Sequence, residues 1–129
     1  MATFKTLEDI IVWQKARIYH AHLKEEVRLL QSVKDFELKE QLKSSSGSVM
    51  DNIAEGFGRM GNKEFKNFLT IAHDSLQESI SQLYRLYDYD YITIERLNLL
   101  KAMASEISRL LRSLIETLQT SEIKGVKFK

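Results

Sequence analysis

The chain has 129 residues, enough for one domain and too few for two independent cores. It holds no proline and 5 glycines, too little turn chemistry for a β-sandwich or small barrel. Lys plus Arg number 19 and Asp plus Glu 18, for a net charge of +1, which excludes attachment to nucleic acid by bulk charge but not by a local basic patch.

Cysteine is absent, so disulfides, thiolate nucleophiles and thiolate metal sites are excluded, and a reducing cytoplasm is the default location. No apolar stretch follows Lys5 as a secretory signal would require. No run approaches the roughly 20 apolar residues of a membrane span, so no membrane partner is expected.

Four helices are expected, over about 7–31, 36–59, 63–87 and 94–119, followed by a flexible tail over 120–129. Thr6 and Asp9 read as the start of the first, a hydroxyl for the orphan amides and an acid in the first turn. Its apolar stripe is Ile10, Trp13, Ala16, Leu23, Val27 and Leu30, with Ile11, Ile18 and Ala21 widening it. Asp35 is placed to cap the second helix, which carries Phe36, Leu38, Leu42, Val49 and Ile53.

The middle of that helix, Ser44-Ser45-Ser46-Gly47-Ser48, is a poor helix interior. It reads either as a loop that splits the segment or as a stretch of small residues that lets a neighbouring backbone approach. The apolar phase favours continuity. Gly56, Gly58 and Gly61 mark the next break, where Gly56 ends or tightens the helix. Asn62 is the expected cap of the third helix, with Phe65, Phe68, Leu69, Ala72, Leu76, Ile80, Leu83 and Tyr87 on its apolar face.

Thr93 caps the fourth helix, where Leu97, Leu100, Ala104, Ile107, Leu111, Leu114 and Leu118 step alternately by three and four. That is the seam of left-handed helix packing. Helices of about 25 residues span roughly 38 Å at 1.5 Å per residue. Similar lengths and short breaks give an all-α, up-down-up-down antiparallel four-helix bundle.

Catalytic patterns are lacking. No Glu-x-x-His motif is present, and His20 and His22 point about 200° apart on a helix, so they share no metal. His20 reads as a packed histidine with one hydrogen bond. No serine sits in a nucleophile elbow, and no phosphate loop follows the glycines. No cofactor or metal is expected, and the chain is not expected to be an enzyme.

Polar residues at core-facing positions are more informative. Folding helix two on helix three about the Gly61 break sets Ser48 opposite Ser75, Ser45 opposite Glu78, and Gln41 opposite Gln82. These either bond across the interface or flank the core in solvent. Arg17, Lys24 and Arg28 share a stripe on helix one; Lys101, Arg109 and Arg112 share another on helix four. They read as a solvated face or as a phosphate-contacting surface with salt-dependent binding. Tyr84, Tyr87, Tyr89 and Tyr91 cluster near Asp88 and Asp90 and read as packing or an interface.

Three stretches carry a resemblance over about 7–118. They are Ile10 to Ala16 (IIVWQKA); Gln41-Leu42 leading through Ser48-Val49 to Asn52-Ile53-Ala54-Glu55-Gly56; and Glu64-Phe65 with Phe68-Leu69, Ala72, Ser75-Leu76 and Glu78. Together they resemble the four helix bundle protein family, also called the 23S rRNA intervening-sequence or S23-type ribosomal protein family. Trp13, Asn52, Glu55, Gly56, Ser75 and Glu78 match its motif. The sequence departs from it at Asp74, where a small residue is usual, and in its near-neutral charge.

The resemblance implies a bacterial four-helix bundle. Some members are encoded within intervening sequences of 23S rRNA genes. A similar bundle, the accessory protein of diversity-generating retroelements, is a homopentamer that binds nucleic acid and a reverse transcriptase through a basic surface. The expected function is a non-catalytic homopentamer associated with RNA or DNA. The alternative is an adaptor that recruits a protein partner through its ring surface or tyrosine end, without nucleic acid. In physical terms Glu55 pairs with Arg59 at i, i+4, and Asn52 bonds across to helix three.

Overall fold

The computed structural model describes residues 4–123, with side chains through Thr120. Four α-helices follow one another: α1 (Ile11–Leu29), α2 (Phe36–Gly58), α3 (Asn62–Asp88) and α4 (Ile94–Ile123). Short connections make consecutive helices antiparallel, and α4 closes back on α1. No strand occurs among the described residues, and none of their helices is long and apolar enough to cross a membrane.

The first helix differs from the sequence expectation. A 3-10 turn, Leu7–Asp9, precedes it, and Ile10 between them is extended and buried. Thr6 and Asp9 form a capping box at this turn, as their spacing suggests, and the Asp9 carboxylate accepts from the amides of Lys5 (2.9 Å) and Thr6 (3.0 Å). Those amides hold the Asp9 carboxyl below its usual range.

The other caps divide. Asp35 accepts from the Leu38 amide at 3.2 Å and Thr93 from the Arg96 amide at 3.2 Å, as expected. Asn62 does not cap α3. Gly61 takes the cap position, and Asn62 becomes the first helical residue, buried with both amide atoms unpartnered. At the other end of the chain, α4 continues to Ile123, overturning the expected tail over 120–123. No glycine or proline occurs there to stop it. The rest of the expected tail lies outside the described residues.

The α4 seam is buried at Leu97, Leu100, Ala104, Ile107, Leu111 and Leu118, with Leu114 half-buried against it. Opposite it lie Leu38, Leu42, Val49 and Ile53 of α2 and Leu69, Ala72, Leu76, Leu83 and Leu86 of α3. From α1 come Val12, Ala16, Tyr19 and Leu23, and from its C-cap Leu30. A fully buried Leu stabilises by about 1.5–3 kcal/mol, so this core carries the fold.

Three buried polar devices tie the helices together. Tyr19 donates to Ser79 at 2.7 Å, and Ser79 passes its own proton to the Leu76 carbonyl at 2.7 Å. Burial pushes the Tyr19 phenol up to about 12. Glu26, 5% exposed at its side chain, holds Arg96 at 2.7 Å and fastens α1 to α4. Lys39 of α2 donates to the carbonyls of Leu30 (3.1 Å) and Val33 (2.6 Å), setting a cation at the C-terminal end of α1.

Candidate nucleic-acid interface

Helix α2 runs unbroken through its serine-rich middle. Each serine of the run but one bonds to another helix. Ser45 donates to Gln82 at 2.6 Å, Ser48 bonds Ser75 at 2.9 Å, and Ser46 bonds His20 Nδ1 at 2.8 Å. Gly47 faces the His20 ring, where a Cβ would make ordinary contact at 3.4 Å from Cε1. Ser44 alone is exposed. Favourable interhelical bonds thus offset the poor helix propensity of the run.

The expected α2–α3 pairing holds at Ser48–Ser75 and slips further along. Ser45 meets Gln82 rather than Glu78, which is exposed, and Gln41 accepts from Arg85 at 3.1 Å rather than facing Gln82. Long helical side chains cover the turn N-terminal to their own Cα, so Gln82 fills the height assigned to Glu78, and Arg85 that assigned to Gln82. Asn52 stays on its own helix. Its Nδ2 donates to the Ser48 carbonyl (2.8 Å) and Ser48 Oγ (2.9 Å), and it reaches α3 only through Ser48.

Gly56 lies inside α2 rather than at its end. A Cβ there would stand 2.6 Å from Phe68 Cβ, so this glycine sets how closely α2 and α3 approach. Glu55 pairs with Arg59 at 3.0 Å as expected, and the Arg59 guanidinium lies over the Phe68 ring at 5.1 Å. Trp13 is half-buried, with the Arg17 guanidinium 5.8 Å from its ring centre.

His20 has the single hydrogen bond expected of it. His73 makes an analogous bond from α3 to Ser108 of α4 at 2.9 Å. Burial pushes both imidazoles below their usual value. Beside His20, a groove of about 610 Å³ opens between α1 and α2, lined by Lys24, Glu40, Lys43, Ser44, Gly47, Ser48 and Asp51.

The six cations singled out from sequence do not form one patch. Arg17, Lys24 and Arg28 follow the edge of α1 that faces α2, where Lys24 enters the groove. Lys101 sits on the α3 side of α4, bonded to the Tyr84 hydroxyl with its ammonium 4.6 Å from that ring centre. Arg112 shares this side, near His73, while Arg109 points outward. Arg28 is held by Glu25 at 2.8 Å. Among the tyrosines, Tyr87 and Tyr91 pack on the core, and Tyr89 meets Tyr91 edge-on at 5.7 Å.

Sequence reasoning passed over Tyr19, Glu26 and Lys39. Tyr19 and Glu26 stand three residues after Ala16 and Leu23, on the buried stripe, so helical spacing alone could have placed them. Among the described residues, no group of three or more His, Cys, Asp or Glu could hold a metal ion.

These features define an antiparallel four-helix bundle with a polar, serine-lined second helix and two separated cationic edges. The chain belongs to the 23S rRNA-intervening sequence protein family, whose model matches residues 8–113. A protein with unknown function from the S23 ribosomal protein family of Bacteroides thetaiotaomicron has a similar crystal structure. It is 27% identical, with a TM-score of 0.78 over 82% of this chain and 96% of that one. No curated protein matches the chain.

Proposed function

We propose that this protein is a non-catalytic, cytoplasmic bundle that assembles into a homopentamer and binds RNA or DNA through its cationic edges. The observation that carries the assembly is an apolar row left on the outside of α1. Ile11, Ile18 and Leu29 share one helical face and are 60%, 49% and 60% exposed. Lys15 and Glu26 beside that row reach Glu106 and Arg96 of α4, so the row borders the α1–α4 seam. Leu99 of α4 adds another exposed side chain at 48%. An apolar row exposed along one helix face suits an interaction site.

The nucleic-acid part is supported by family membership and by the stripe of Arg17, Lys24 and Arg28. Phosphate contacts release counterions, so binding to ribosomal RNA fragments should weaken steeply between low and moderate salt. Reversing Arg109 and Arg112 to Glu tests the α4 edge separately. Binding that ignores salt, or no binding by an assembled ring, would favour the adaptor reading instead.

A further inference from the structure

The α1–α2 groove has a polar lining that core packing does not require. Its volume of about 610 Å³ has room for a nucleotide unit. The His20–Ser46 bond fixes the helix register, and in antiparallel helices that register sets Lys24 opposite Lys43. Glu40 meets Lys43 at 3.0 Å in the free chain, an exposed pair of little worth. Arg17 and Arg28 flank Lys24 on the same face of α1, a cationic track of about 16 Å at 1.5 Å per residue.

His20 supplies a ring nitrogen without a partner. Nδ1 is engaged by the Ser46 hydroxyl at 2.8 Å, which fixes the ring and turns Nε2 away from that bond. Nε2 makes no hydrogen bond among the described residues. Burial is the largest influence on this imidazole and keeps it neutral near neutral pH, against the pull of Asp51 and with the push of Lys24. Glu40 and Asp51 offer a bare polyanion nothing. They suit a nucleotide, which sets N–H and O–H donors beside its phosphate.

We propose that the α1–α2 groove binds a single-stranded RNA segment, with Lys24 and Lys43 on a phosphate and His20 Nε2 hydrogen-bonded to a ribose 2′-hydroxyl, which can both donate and accept. This rests on the nucleic-acid reading above and assigns it a place and a sugar preference. The 2′-hydroxyl is the group that distinguishes RNA from DNA at such a site.

The test is fluorescence anisotropy of the full chain with labelled oligouridylate and its deoxy counterpart. The RNA should bind about fivefold more tightly, the worth of one net hydrogen bond. His20→Ala should erase that difference. Lys24→Glu should weaken RNA binding about tenfold and flatten its salt dependence. Ser44→Asp, at an exposed position outside the hydrogen-bond network, should do the same with helicity unchanged.

Equal affinity for RNA and DNA would overturn the role of His20. Full affinity in Lys24→Glu and Ser44→Asp, with loss in Arg109→Glu/Arg112→Glu, would overturn the groove and leave the nucleic-acid reading standing. No binding of either strand by the native chain would remove both.

Discussion

Met60 and Asp90 are the described non-glycine residues with positive φ, at 62° and 63°. Each turns the chain between antiparallel helices, where a left-handed residue is needed, and an L side chain there is strained. Met60 is 74% exposed and contributes little burial in return. Met60→Gly should therefore stabilise the fold by about 0.5–1 kcal/mol, after the larger chain entropy of glycine is subtracted. Urea titration would measure it; a loss of stability would show that Met60 packs against something the turn needs.

The histidines give a second residue-scale expectation. His20 and His73 both lie below their usual 6.5, each chiefly through burial. In the unfolded chain they protonate near that value, and in the folded chain they resist. Their contribution is complete above the unfolded value and is lost as pH falls through the lowered folded ones. The thermal midpoint should drop between about pH 7 and pH 5, and replacing both histidines should flatten the slope. A slope unchanged by that replacement would assign the acid response to carboxylates.

For the helices, the decisive packing is between α2 and α3. Gly56→Ala would press a methyl onto Phe68 Cβ at 2.6 Å and onto the Phe65 carbonyl at 3.2 Å, atoms that move only with the backbone. It should cost about 1–3 kcal/mol, despite the better helix propensity of alanine. A stabilised variant, seen in thermal unfolding, would mean that the two helices separate freely.

The helices themselves were legible because their signal is periodic. Leu97 to Leu118 repeats closely enough to set the α4 seam, and the phase from Leu42 to Ile53 carried α2 through its serines. Details fixed by side-chain reach were not legible. Gln82 and Arg85 each cover a turn behind their own backbone, which shifted two of the expected polar pairs. Lys39 caps the end of α1 across a loop, a contact that no spacing rule within one helix expresses. The cations were legible as stripes on single helices. Their separation onto different edges depends on how the rods are rotated in the bundle.

At the scale of the whole molecule, burial is uneven. The α2–α3 side is glycine-tight and hydrogen-bonded, while the α1–α4 side keeps Ile11, Ile18 and Leu29 in contact with water. The first side is used to fold; on the proposed reading, the second is left for copies of the same chain. A near-neutral chain gains little long-range attraction for nucleic acid, so a cationic field must come from local edges such as the Arg17, Lys24 and Arg28 stripe. Sedimentation equilibrium of the native chain beside Ile18→Asp/Leu29→Asp measures the assembly most directly. The account predicts a native mass of five chains and a single-chain mass for the variant, with helicity unchanged. A native protein that sediments as one chain at every concentration would contradict it.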